Sequence, residues 1–297
     1  MEELCTLCPR ACRVDREKNL GFCRMTRIPR VARAALHMWE EPSISGKRGS
    51  GTIFFCGCNL HCVFCQNGVI SRTESEMLGR EVSDGELASL MFRLRDEGAH
   101  NINLVTPTHF ADTLARILPE VRKTLGIPIV YNCGGYESAE TLRTLDGLID
   151  IYLPDFKYAS AEIAKKYSSA PDYPTVARAA LAEMYRQTGE AVFDTDGMMK
   201  KGVLVRHLVL PGCRRDSADV LRMIAETVPA DKIRISLMCQ YTPDFAPAEM
   251  KELRRRITSF EYDFVLNETE KYGFDGYTQE KEAASSSFTP DFREKTF

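Results

Sequence analysis

The sequence predicts an α/β fold built from six strand–helix units, either a partial (βα)6 barrel or a doubly wound sheet. From residue 51 to residue 260, short runs rich in β-branched and aromatic residues alternate with longer helical patterns. Such alternation implies a parallel sheet with right-handed crossovers. Hydrophobic residues make up 44% of the 297, enough for a sizeable core. Six units are too few to close an eight-fold barrel.

The elements follow in chain order. Residues 5–23, "CTLCPRACRVDREKNLGFC", contain Pro9 and Gly21 and read as loop. A strand-like link, "VARAALHMWEEP", follows at 31–42. The six strand runs are "GTIFFCG" (51–57), "NINLVTP" (101–107), "IPIVYNC" (127–133), "IDIYLPDF" (149–156), "GVLVRHLVLPG" (202–212) and "KIRISLMC" (232–239). The helical stretches are 83–98, 110–126, 138–147, 160–188, 217–228 and 246–260. The first of them opens on Ser83 with Glu86 three residues later, a capping-box pattern. Its Leu87, Leu90, Met91 and Leu94 recur at helical spacing and mark a core face. Asp196-Gly197 supplies a turn before the fifth strand. The tail, 276–292, lacks periodicity, and its Phe288 and Phe292 favour docking onto the body. The chain divides into a Cys-rich segment and link (1–48), the barrel (49–270) and the tail (271–297).

A net charge of −3 and a pI of about 6.0 argue against nucleic-acid binding by bulk charge. No apolar run approaches the roughly 20 residues of a membrane span. The N-terminus lacks a charged-then-apolar leader pattern, so a cytoplasmic location is expected. Of eleven cysteines, eight fall within the first 65 residues, in two clusters. A reducing compartment disfavours structural disulfides, and clustered thiols there point to metal or redox chemistry.

In either α/β architecture the active site lies at the C-terminal ends of the strands. The first strand runs directly into "FFCGCNLHCVFCQN" (54–67), where Cys58, Cys62 and Cys65 stand in C-x3-C-x2-C spacing. Three readings compete. The thiols can be buried packing, since i, i+4 and i+7 share a helix face, although Gly57 and Asn59 favour a loop. They can bind zinc, with Cys56 or His61 as a fourth ligand. They can hold a [4Fe–4S] cluster with three thiolates, leaving one iron open to a small ligand.

The motif and its place after the first strand resemble the radical S-adenosylmethionine (radical SAM) superfamily. Within it the chain is similar to pyruvate formate-lyase-activating-enzyme-like proteins with extra N-terminal cysteines. The resemblance implies a partial (βα)6 barrel of the radical SAM type. It also implies a [4Fe–4S] cluster on Cys58, Cys62 and Cys65, with S-adenosylmethionine (SAM) chelated at the open iron. One-electron cleavage of SAM would then give methionine and a 5′-deoxyadenosyl radical that abstracts hydrogen from a substrate. Implied partners are an electron donor such as flavodoxin or ferredoxin, and a glycyl-radical enzyme or other protein substrate. Modification of a small molecule or RNA is an alternative, and a non-catalytic Fe–S or zinc protein another.

The resemblance places Phe64 near the adenine. The family's Gly-Gly-Glu motif after the second strand is replaced by "VTPTHF", where Thr106 and Thr108 offer hydroxyls and His109 stands beside them. After the third strand, Asn132 precedes a Gly-Gly bend. Asp155 and Lys157, two apart, point to one side of the fourth strand. The activating enzymes have a similar Asp-x-Lys that contacts SAM. Arg206 and His207 alternate in the fifth strand, so one of them faces inward. An inward Arg206 requires an anionic partner, for which the SAM carboxylate is a candidate. Gln240 and Tyr241, after the sixth strand, are candidates for adenine or ribose contacts. Cys56, Cys133, Cys213 and Cys239 fit buried packing.

Cys5, Cys8, Cys12 and Cys23 form a second cluster, C-x2-C-x3-C-x10-C, expected to bind zinc or a second Fe–S cluster. A segment this short cannot build its own core, so metal would supply its folding energy.

Overall fold

The β-rich runs assemble into a single sheet. The structure, a computed structural model, describes residues 4–72, 78–279 and 290–292. Its strands are β1 (Arg30–His37), β2 (Ser50–Phe55), β3 (Arg80–Glu81), β4 (Ile102–Val105), β5 (Ile129–Cys133), β6 (Ile151–Pro154), β7 (Val192–Phe193), β8 (Met199–Leu208), β9 (Arg234–Met238) and β10 (Gly276–Thr278). The helices are α1 (Pro42–Ser45), α2 (Gly68–Ser71), α3 (Asp84–Asp96), α4 (Ala111–Leu125), α5 (Ala139–Arg143), α6 (Ala161–Ser168), α7 (Tyr173–Thr188), α8 (Arg214–Thr227) and α9 (Ser259–Lys271).

The sheet order is β10-β9-β8-β6-β5-β4-β2-β1-β3, and the neighbours from β2 to β10 all pair in parallel. Each new strand joins the same edge. A doubly wound sheet reverses its strand order at a switch point. No reversal occurs between β2 and β10, so the winding is that of a partial barrel. β1, from the link, pairs antiparallel with β2 and turns the growing edge's opposite side into an antiparallel ribbon. The sheet has two distinct ends and does not close among the described residues.

Register sorts the side chains. Asn103 pairs with Val130, Val105 with Asn132, Val130 with Ile151, Asn132 with Leu153, and Asp155 bridges to Arg206. Period-two alternation puts these residues on one face. On its lower part Val130, Ile151, Leu153 and Leu204 pack with Ile44 of α1 and with Met199. The opposite face packs against the helices: Leu87, Leu90, Met91 and Leu94 of α3 are buried there, as their spacing predicted.

Three segments differ from the expected pattern. The 160–188 interval is two helices, broken at Ser169 in a left-handed conformation (φ 50°). The expected helix at 246–260 is absent; a 3-10 turn covers Lys251–Leu253 and the helix begins at Ser259. Thr258 and Glu261 form a capping box there, a stronger start signal than the apolar spacing upstream. Gly276–Thr278 extends the sheet as a seventh parallel strand, although the tail has no strand-like periodicity. Phe292 is buried edge-on against Phe54, whereas Phe288 lies outside the described residues.

Candidate active site

β2 delivers the chain to the cysteine loop. Gly57 has φ 81° and its Cα faces the Cys23 carbonyl and His109, an approach no side chain would permit. The loop then turns through His61, itself at φ 53°, and closes into α2 with Cys65 N–H bonding the Cys62 carbonyl at 3.1 Å. All eleven cysteines are free thiols. Each sulfur of the motif accepts a hydrogen bond: Cys58 Sγ from Leu60 N–H (3.3 Å), Cys62 Sγ from Ser168 Oγ (3.0 Å), Cys65 Sγ from Ser71 Oγ (3.5 Å). Hydrogen bonds to sulfur tune the potential of a bound cluster. Burial pushes the Cys58 thiol up to about 12 and raises that of Cys65. Ionising them is therefore tied to metal binding, which releases the protons.

The three thiols line one cavity of about 130 Å³ together with Thr106, Asn132, Asp155, Lys157 and Arg206. These residues stand at the C-terminal ends of β2, β4, β5, β6 and β8. Asp155 sits between two cations, with Lys157 Nζ on one oxygen and Arg206 Nε at 2.9 Å on the other. Burial alone would raise the Asp155 carboxyl, but Lys157 and Arg206 overrule it and hold it below the usual range. Burial likewise opposes the charge on Lys157, and Asp155 reverses that and raises its pKa. Arg206 also donates to Asn132 Oδ1 (2.6 Å) and to Glu40 Oε2 (3.1 Å).

Glu40 was not foreseen. The bend after β1 inserts it into the inner face, where Asn103 and Asn132 donate to its other oxygen at 3.1 and 3.2 Å. Burial raises its pKa, with Arg206 working against that rise. The only sequence signal was a charged pair, "WEEP", ending a strand-like run. Asn103, alternating with Ile102 and Leu104, was equally legible as an inward polar residue.

Of the expected site residues, the fold brings Thr106, Asn132, Asp155, Lys157 and Arg206 to the cavity with the three cysteines. Thr106 is held at φ 59°, an unusual conformation for a β-branched residue. Three others stand off the cavity wall. Thr108 donates to Glu137 (2.8 Å) on the helix side. Phe64 packs edge-on against Tyr167 and Tyr241. Gln240 bonds Gln279 (3.0 Å). Of the Arg206–His207 pair, Arg206 faces the cavity, while His207 is buried against the Phe156 carbonyl. His109 is buried, bonds the Cys56 carbonyl at 2.8 Å, and is pushed down to about 3 by burial and Arg16. Cys133 borders the cavity, but its thiol engages Glu137.

The N-terminal segment docks on the cysteine loop. Arg10 donates to the Asn59 carbonyl (2.8 Å) and the Ser168 carbonyl (2.9 Å), and its guanidinium covers Phe22 and Tyr136. Phe22 in turn stacks on His61.

The donor set fits an iron–sulfur cluster. Three free thiols line one cavity, and thiolates are the ligands such a cluster takes.

Residues 52–199 match the family model of the radical SAM superfamily. A protein of Methanocaldococcus jannaschii, "Uncharacterized protein MJ0674", is 30% identical over 280 residues, covering 91% of this chain and 75% of the relative. A radical SAM methyltransferase from Sphaerobacter thermophilus shares the fold with a TM-score of 0.52 at 14% identity, over 77% of this chain and 66% of that one. Streptococcus suis SuiB bound to S-adenosylmethionine gives 0.47 at 13% identity, over 75% of this chain and 48% of that one. The chain belongs to the radical SAM superfamily. Membership implies an iron–sulfur cluster and SAM as cofactors. These relatives do not carry the narrower activating-enzyme assignment. No helix among the described residues is long and apolar enough to cross a membrane.

Proposed function

We propose that this protein is a radical SAM enzyme that holds a [4Fe–4S] cluster on Cys58, Cys62 and Cys65 and cleaves SAM beside it. The observation that carries the reading is the shared cavity: three free thiols face Asp155, Lys157, Arg206 and Asn132 across it. Bound there, the cluster and SAM supply one-electron cleavage of a sulfonium C–S bond, giving methionine and a hydrogen-abstracting 5′-deoxyadenosyl radical. The chain's own residues bind and orient. Lys157 and Arg206 present N–H donors suited to a carboxylate, and Asp155 presents an acceptor suited to an ammonium or ribose hydroxyl. Asn132 and Glu40 hold the Arg206 guanidinium in place.

The test is anaerobic. The protein is reconstituted with iron and sulfide, reduced, given SAM, and assayed for 5′-deoxyadenosine. Production is expected, and Cys62→Ala should abolish it; deoxyadenosine from that variant would refute the site. No product at all would favour a non-catalytic metal protein. A flavodoxin or ferredoxin is proposed as the electron source, and replacing the chemical reductant with either checks it. Activation of a glycyl-radical enzyme draws no support from the relatives found. A glycyl-radical signal on mixing with a candidate partner would establish it over a small molecule, RNA or other protein.

A further inference from the structure

Arg16 is 2% exposed, among the largest fully buried side chains. A buried guanidinium needs a compensating anion. Its partners are the His109 carbonyl (2.6 Å), the Thr26 carbonyl and, at 4.0 Å, Cys5 Sγ; its Nε has none. No carboxylate pairs with it among the described residues.

What surrounds Arg16 instead is thiol. A methyl group placed on Gly21 would lie 3.2 Å from Cys23 Sγ, 3.6 Å from Cys12 Sγ and 3.7 Å from Arg16 Cδ, so these three side chains converge over that glycine. Cys8 lies within electrostatic reach of Cys5 and Cys23, and Cys23 within reach of Cys5, Cys12 and Arg16. Three thiols, Cys5, Cys12 and Cys23, thus gather around one unpaired cation, with Cys8 beside two of them. The backbone is forced to gather them: Ala11 (φ 38°) and Arg13 (φ 50°) flank Cys12, and Arg24 (φ 64°) follows Cys23. Left-handed non-glycine residues cost about 1–3 kcal/mol each.

The geometry points to a second iron–sulfur cluster held by Cys5, Cys8, Cys12 and Cys23, whose negative charge is the partner that Arg16 lacks. Thiolates on a metal are anionic where free buried thiols are neutral, so the bound cluster completes the charge pair and supplies the energy that holds the strained loop. The spacing favours a multi-iron cluster over zinc: three of the four thiols fall within eight residues, Cys5 to Cys12, where structural zinc sites draw on two short Cys or His pairs. With four protein thiolates it has no open iron, unlike the three-cysteine site. Its seat is against the catalytic loop, since the Cys23 carbonyl meets Gly57 and Arg10 holds Asn59.

The test uses the full chain, reconstituted anaerobically, with iron, sulfide and zinc counted and the reduced protein examined by electron paramagnetic resonance. The native chain should hold about eight irons, and the triple variant Cys58→Ala/Cys62→Ala/Cys65→Ala about four, with a cluster signal that SAM does not perturb. Cys8→Ser/Cys12→Ser should keep about four irons with a SAM-sensitive signal. If that variant fails to fold, the triple variant still decides, because it leaves the N-terminal set intact. A triple variant with no iron, or with one zinc in its place, overturns the second cluster whether or not the native chain cleaves SAM.

Discussion

Arg206 shows how one residue organises the cavity. It touches Asp155, Glu40 and Asn132 at once. Arg206→Ala would leave Glu40 buried without its cation and Asp155 with Lys157 alone, a loss of about 3–5 kcal/mol. Chemical denaturation checks it, and a loss below 1 kcal/mol would mean that the carboxylates are otherwise neutralised. Glu137 is the second such residue. Burial pushes its carboxyl up to about 7, with hydrogen bonds from Thr108 and Tyr131 working against the rise. The folded value then exceeds the unfolded one of about 4.3, so the folded chain binds this proton more tightly. Stability contributed by the neutral acid is fully present below about pH 4.3 and is lost as pH rises through about 7, on the order of 3 kcal/mol. Glu137→Gln should remove that slope. Urea midpoints of both proteins at about pH 5 and about pH 8 compare them; parallel slopes would mean that Glu137 stays ionised.

At the scale of elements, the termini decide where helices begin. Ser83 accepts from Glu86 N–H at 3.3 Å while Glu86 Oε2 accepts from Ser83 N–H at 2.8 Å. Ser83→Ala should cost about 1 kcal/mol and leave SAM cleavage unchanged, because α3 lies outside the cavity wall. A matching drop in deoxyadenosine yield would show that α3 positions the site. Asp216 of α8 works across elements: it accepts from the backbone N–H groups of Ala159 and Ser160, fastening the loop that follows Asp155 and Lys157. The Asp155–Lys157 strand end is therefore held from behind by a helix 60 residues on in sequence, and nothing in "LPDFKY" announces it.

At the scale of the whole molecule, the tail returns to the beginning of the sheet. Phe292 lies 5.3 Å from Phe54, ring centroid to centroid, and His37 of β1 meets the same ring. A contact at the chain's end can open by itself, so its loss is felt locally. Phe292→Ala should speed amide exchange in β1 and β2 with little change in the global midpoint; unchanged exchange there would show that the tail adds no protection.

Much of the fold was readable because it is written in local periodicity. Alternating runs announced the parallel strands, and Ser83 with Glu86 announced α3. The expected helix at 246–260 failed where apolar spacing competed with the capping box at Thr258, and β10 escaped notice because three residues carry no pattern. Within the site, Asp155 and Lys157 were legible because residues two apart on a strand share a side, whereas Thr108, Phe64 and Gln240 lie near the right strand ends but turn to other partners. The sequence by itself determined the strand–helix rhythm and the spacing of the cysteine loop, since both depend on neighbours along the chain. Only the tertiary structure decided that Glu40 enters the inner face, that Arg206 rather than His207 meets the cavity, and that Arg16 lies buried beside Cys5, Cys12 and Cys23. Those outcomes depend on register between strands and on contacts across many residues, where burial and charge pairing override any local preference.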